Sequence, residues 1–182
     1  MTYSPKPGDF FITVSRSRIG AIVRFLQALV GDYTIFTHAG MVVTDQDAAG
    51  HQDIVEAMPG KAKLADLSKY RSDPNTIYSR FDLTDAQRDA LVQHALSYVG
   101  TEYSWAEYLY LALAHWGWRT GWIKKRIKNS GHMICSQLVA QCYTDAGINL
   151  FTDGRIPEAV VPGDLANILL ASATEEVLEE DV

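Results

Sequence analysis

The sequence predicts an α+β domain, and three observations carry that prediction. Runs rich in β-branched and aromatic residues at about 10–14, 36–43 and 53–58 have strand length and turn residues at their borders. A capped helical pattern opens at Thr84 and runs to Val99. The polar, glycine-bearing stretch before Ile134 then turns into an apolar helix that begins at Cys135. With 182 residues, 47% of them hydrophobic and 21% charged, the chain has the size and apolar content to bury one ordinary core.

From the N-terminus, Pro7-Gly8-Asp9 is a turn that releases the first strand. Ile19, Ile22, Val23, Leu26, Leu29 and Val30 recur at three- and four-residue spacing behind Ser15 or Ser17 as a cap, which predicts a helix stopped by Gly31. The turn-rich residues 44–50 can fold the 53–58 strand back beside 36–43. Residues 61–73 read as a loop or short helix ended by Pro74, and 76–81 as a further strand. Thr84-Asp85-Ala86-Gln87 is a capping box, and Leu91, Ala95, Leu96 and Val99 extend its helix until Gly100.

A turn after Gly100 precedes an aromatic-rich helical segment through Trp116, whose Trp105, Tyr108, Leu109, Leu111 and Leu113 read as core. Arg119, Lys124, Lys125, Arg126 and Lys128 interleave with Trp118 and Trp122. They read first as a solvated helix face and second as a peripheral contact for an anionic surface across 118–128. Residues 174–182 are an acidic stretch expected to fray. The expected organisation is one domain over 1–173, with 104–131 as an aromatic and basic helical insertion and 174–182 as a flexible tail.

Cys135 is the residue best placed to carry chemistry. At a helix N-terminus the unpaired N–H groups and the dipole favour an anion, so a thiolate there is stabilised relative to a free thiol of pKa ~8.5. A lone cysteine in such a place is more often a small buried hydrophobe, so partners decide. His38 stands at the entrance of the run Thr37-His38-Ala39-Gly40-Met41-Val42-Val43, where a strand end can aim a base. Glu56, among apolar neighbours in Asp53-Ile54-Val55-Glu56-Ala57-Met58, can orient the imidazole. Singly, His38 is a hydrogen-bonded strand-end histidine and Glu56 a carboxylate facing water. Jointly they supply nucleophile, base and orienter, a combination that does not depend on chain order.

Cys142 lies seven residues on, roughly 10 Å along the same helix at ~1.5 Å per residue. That is too far for a disulfide, so it reads as a core thiol. His51, His94, His115 and His132 share no ligand spacing and no Cys-x-x-Cys occurs, so no metal or other cofactor is expected.

Gly8-Asp9, Ser17-Arg18-Ile19-Gly20-Ala21-Ile22-Val23-Arg24, Thr37-His38-Ala39-Gly40, Val55-Glu56-Ala57-Met58-Pro59-Gly60, Gly100-Thr101-Glu102-Tyr103-Ser104, Ile134-Cys135-Ser136-Gln137-Leu138-Val139 and Val161-Pro162-Gly163-Asp164-Leu165 follow one another in a telling order. The set resembles the circularly permuted branch of the NlpC-type, papain-like cysteine hydrolases, the YiiX-like proteins, over roughly residues 8–166. The resemblance implies an antiparallel sheet packed against the helix that carries the nucleophilic cysteine. It implies Cys135 as nucleophile, His38 as base and Glu56 as the residue orienting His38. Tyr103 corresponds to a tyrosine near the nucleophile that helps bind the oxyanion or substrate, while on its own residues it reads equally as an ordinary packed tyrosine. Two positions depart from the pattern: Gln137 stands where many relatives have glutamate, and the 31 residues between Tyr103 and Cys135 make a longer connection than compact relatives have.

The expected activity is hydrolysis of an amide through a thioacyl-enzyme, with peptidoglycan stem peptides first among the substrates the resemblance implies. A lipid acyl hydrolase or acyltransferase using the same residues is the second expectation, since the Trp-rich connection suits an acyl chain. A non-catalytic binding module on the same fold is the third. The formal charge of −6 argues against a nucleic-acid partner. The N-terminus lacks a signal-peptide layout and no apolar run reaches the ~18 residues of a spanning helix. The expected location is therefore the cytoplasm, or outside it after release without a signal peptide.

Overall fold

The structure is a computed structural model describing residues 3–15, 20–21, 24, 27–28, 34–58, 60–103 and 134–180, without the side chains of 103 and 172–180. Six strands form one antiparallel sheet: β1 (Phe10–Thr13), β2 (His38–Val42), β3 (Asp53–Met58), β4 (Gly60–Asp66), β5 (Ile77–Tyr78) and β6 (Glu102–Tyr103). Their spatial order is β5-β1-β2-β3-β4-β6. The helices are α1 (Ser68–Arg71), α2 (Asp85–Ser97), α3 (Cys135–Asp145) and α4 (Pro162–Glu180), with a 3-10 turn at Pro157–Ala159. The expected α+β class and antiparallel sheet are both present.

Strand alternation divides the core into two layers. Phe10, Ile12, Ala39, Met41, Val55 and Ala57 share one buried cluster with Leu138, Val139, Cys142 and Tyr143 of α3 and with Leu91 and Ala95 of α2. Phe11, Val42 and Ile54 point the other way and are covered by Leu67 and Tyr70. Every residue of β2 is buried, as befits a central strand covered on both faces. Burying each large apolar side chain of these layers contributes about 1.5–3 kcal/mol. Cys142 is a free, buried thiol in the first layer, and burial pushes it well above the ordinary thiol range.

Local chemistry accounts for the element boundaries. Gly8 takes φ +88°, a left-handed conformation that glycine adopts without a Cβ penalty, and Asp9 behind it accepts from Lys6 N, Tyr3 Oη and Arg88 Nη1. That buried carboxylate thereby ties the chain entry to α2. The capping box of α2 is present, with Thr84 Oγ1 accepting from Gln87 N and Gln87 Oε1 accepting from Thr84 N. Between β2 and β3, Asp47 Oδ1 accepts from Ala49 N and His51 N, which closes the turn.

Three expectations change. Residues 61–66 are not loop: they form β4, paired along β3 from Asp53↔Asp66 to Met58↔Lys61. The strand expected over 76–81 is reduced to β5, the two residues Ile77 and Tyr78 at the sheet edge. The acidic stretch expected to fray after 174 continues α4 as helix through Glu180. The helix expected over 19–30 lies largely outside the described residues, of which Gly20, Ala21, Arg24, Gln27 and Ala28 are helical. The insertion, its basic segment and His132 all lie outside the described residues.

Candidate active site

His38 is the first residue of β2 and Cys135 the first of α3, so imidazole and thiol meet where a strand end and a helix start converge. The two side chains hydrogen-bond. His38 Nε2 donates to Glu56 Oε2 at 2.9 Å, which leaves Nδ1 as the ring nitrogen turned to Sγ. The three residues singled out from the sequence thus form one hydrogen-bonded chain. Their exposures are 2% for Cys135, 6% for His38 and nil for Glu56, so water competes little for these contacts.

Two residues that sequence reading did not select complete the carboxylate's surroundings. Tyr70 Oη donates to Glu56 Oε2 at 2.7 Å, and Lys69 Nζ donates to Glu56 Oε1 at 2.5 Å. Both sit on α1, a four-residue helix that crosses the sheet face opposite α3. Their signal in the sequence was weak, since 61–73 shows neither clear periodicity nor a strong cap. The Tyr70 and Phe11 rings pack on the imidazole, with centroids 5.6 and 6.1 Å from it. Gly40 makes that packing possible: a Cβ there would stand 2.7 Å from the Phe11 ring and 3.0 Å from the Val55 carbonyl oxygen.

The electrostatics follow from these contacts. Burial on its own lowers an imidazolium's pKa, but the bonds to Cys135 and Glu56 outweigh it and push His38 up to about 9. Burial on its own raises a carboxyl, yet His38, Lys69 and Tyr70 together hold Glu56 down at about 2. Burial first, and then the Glu56 charge, push the Tyr70 phenol far above its ordinary value, so it stays a donor. The thiol and the carboxylate thus hold the imidazole toward its protonated form, and the thiol stands at a helix N-terminus, where outward-pointing backbone N–H groups favour an anion.

The start of α3 is tethered on its far side. Gln137 Oε1 accepts from Ile134 N at 3.0 Å while Gln137 Nε2 donates to Glu158 O at 2.7 Å, and Ser136 Oγ donates to Val160 O at 2.7 Å. An amide serves both ends of the first bridge, whereas a glutamate could serve only the accepting end. The closing Pro162-Gly163-Asp164 follows directly: Asp164 Oδ2 accepts from Val161 N at the opening of α4. Tyr103 pairs with Gly60 across β6 and β4 at the sheet edge, and its side chain lies outside the described residues.

No family model matches the chain, and no curated protein does. Among solved structures the chain is similar to the metalloprotein YiiX of Escherichia coli O157:H7, with 19% identity and a TM-score of 0.56, covering 86% of this chain and 79% of that one. The fold is therefore YiiX-like. Among the described residues, no helix is long and apolar enough to cross a membrane.

Proposed function

We propose that this chain is a cysteine hydrolase of the permuted, NlpC-type papain-like kind, cleaving an amide through a thioacyl-enzyme on Cys135. The observation that carries the reading is the buried chain Cys135–His38–Glu56, with the thiol at a helix N-terminus. Cys135 gives its proton to His38, and the thiolate attacks the substrate carbonyl carbon to form a C–S bond. The developing oxyanion is held by the Cys135 backbone N–H, and the sequence resemblance makes Tyr103 the side chain to test as its helper. The imidazolium then protonates the departing amine as the C–N bond breaks. Water, relieved of a proton by His38, hydrolyses the thioester; an alcohol or amine acceptor in its place would make the protein a transferase. Stem peptides are the first substrate class, whether met in the cytoplasm or at the wall after release.

YiiX is described as a metalloprotein, which raises the question of a metal at the corresponding centre here. The donors do not fit one. Glu56 is engaged by His38, Tyr70 and the Lys69 ammonium, which holds the position a cation would take. Among the described residues, no three His, Cys, Asp or Glu side chains gather as a ligand set. No step above is routed through a metal.

Burial favours a second reading, a binding module with an inert thiol, because Cys135 and His38 are so little exposed. Lipid acyl transfer remains the alternative within the catalytic reading. The deciding experiment is the rate of Cys135 alkylation against pH in wild type and in His38→Ala, with Cys142 resolved by peptide mapping. Rapid labelling well below pH 8 that disappears with His38 is expected, and it would send stem peptides and acyl lipids to a substrate screen. Slow labelling titrating like a free thiol in both proteins would sink the hydrolase and leave the binding module.

A further inference from the structure

A thiolate–imidazolium pair balances its own charge only until the thiolate is consumed. Once Cys135 carries an acyl group and His38 has protonated the leaving group, the centre holds a neutral imidazole hydrogen-bonded to a fully buried carboxylate. Such a carboxylate draws protons back toward the pair, because a buried anion without a compensating charge is costly. That would keep His38 protonated when the thioester needs it as a base for water. The structure contains a candidate remedy in the Lys69 ammonium, bonded to the Glu56 oxygen that His38 does not use, while its own side chain remains 40% exposed.

We propose that Lys69 is a charge-balancing positioning residue: it keeps Glu56 ionised on the Oε1 side, so that the Glu56–His38 pair releases its extra proton near neutral pH and His38 serves as base in deacylation. This rests on the hydrolase reading for its role in turnover. Its effect on His38 is a property of the folded protein alone. Among the described residues, the charged and titratable groups around the imidazole and its carboxylate are Cys135 from α3, Glu56 from β3, and Lys69 and Tyr70 from α1, with Phe11 of β1 contributing only its ring. Lys63 stands opposite Glu56 in the β3–β4 register but is exposed. Tyr70 donates a neutral hydrogen bond and cannot offset charge, so the balancing falls to Lys69.

The sign is fixed by electrostatics. Lys69 repels the imidazolium and stabilises the carboxylate, and both effects ease proton loss from the pair. Removing the ammonium must therefore raise the pH at which the pair gives up its proton. In Cys135→Ala, which lacks the thiolate as the acyl-enzyme does, His38 is titrated by NMR of its ring, and the titration is repeated with Lys69→Met, Lys69→Arg or Lys63→Met added. Lys69→Met is expected to move the midpoint up by about one pH unit, a typical effect of one nearby charge after solvent screening. Lys69→Arg should restore it, and Lys63→Met should move it much less.

An unchanged midpoint in Lys69→Met would overturn the proposal, as would an equal shift in Lys63→Met, which would mean a diffuse surface field. Because Lys69 is partly exposed, its replacement leaves the core intact, and the Lys69→Arg protein controls for local unfolding. In the proteins that retain Cys135, Lys69→Met is expected to shift the acid limb of thioester hydrolysis upward by the same interval while acylation changes less. Failure of the hydrolase reading would show separately, as slow alkylation of Cys135 regardless of His38, and would leave the His38 titration interpretable.

Discussion

Glu56 illustrates how much one side chain's surroundings decide. Its carboxylate accepts from His38, Tyr70 and Lys69 and offers nothing in return, a role only an ionised acid fills. Glu56→Gln replaces one accepting oxygen by an NH2 group, which must then face either the Lys69 ammonium or the His38 and Tyr70 donors. The imidazolium loses the partner that helps lift it to about 9, but His38 itself remains able to exchange a proton with Cys135. On the proposed mechanism Glu56→Gln should lower kcat/KM by about 10²-fold, while His38→Ala, which removes the proton-transfer group, should lose about 10³-fold or more. Steady-state kinetics on a responsive amide would check the order, and equal losses would mean that Glu56 does more than orient the ring.

At the scale of elements, the candidate site depends on close approach between β1 and β2. Gly40→Ala would push a Cβ against the Phe11 ring and the Val55 carbonyl, neither of which can retreat from a buried sheet. The cost expected for such overpacking is about 1–3 kcal/mol, with Cys135 alkylation slowed because the displaced ring bears on the imidazole; urea unfolding and the labelling rate measure the two effects. Gly40 also shows what was legible in the chain itself. A strand-end histidine before a glycine, a glutamate in the next strand and a cysteine at a helix start could be selected because each sits where local pattern is strong: β2 and β3 are apolar runs, and α3 starts where polarity changes. The capping box of α2 was equally plain. β4 was not, because Lys61-Ala62-Lys63-Leu64-Ala65 has weak strand formers and buries only Ala62, its pairing being supplied by β3 across the turn. α1 is a single turn with no side-chain cap, so nothing in the sequence announced that Lys69 and Tyr70 would reach Glu56. Partners of that kind are fixed by tertiary packing, and local pattern does not encode them.

For the whole molecule, the buried pair makes stability depend on pH in a direction that can be worked out. Glu56 is held at about 2 in the folded chain against an ordinary 4.5, so its contribution is complete above about 4.5 and is lost as pH falls from there toward 2. His38 is raised to about 9 from 6.5, so well below 6.5 it is protonated in both the folded and unfolded chain and adds no slope to the acid limb. Asp66, held at about 2 beside His51, and Asp153, held low beside Arg155, tilt the same limb, but both occur unchanged in a Glu56 variant. Below about pH 5, where His38 is protonated in the folded and unfolded chain alike, the difference between wild type and Glu56→Gln therefore reports the buried carboxylate; above about 6.5 it also carries His38, which Glu56 helps to raise. Urea unfolding of both proteins from pH 6 to pH 3 is expected to show wild type as the more stable, with the gap widest near pH 5 and narrowing steadily below about 4.5 as Glu56 protonates. A gap that stays constant to pH 3 would mean that Glu56 is not held as a buried anion, and the charge pattern assigned to Cys135, His38 and Lys69 would have to be redrawn with it.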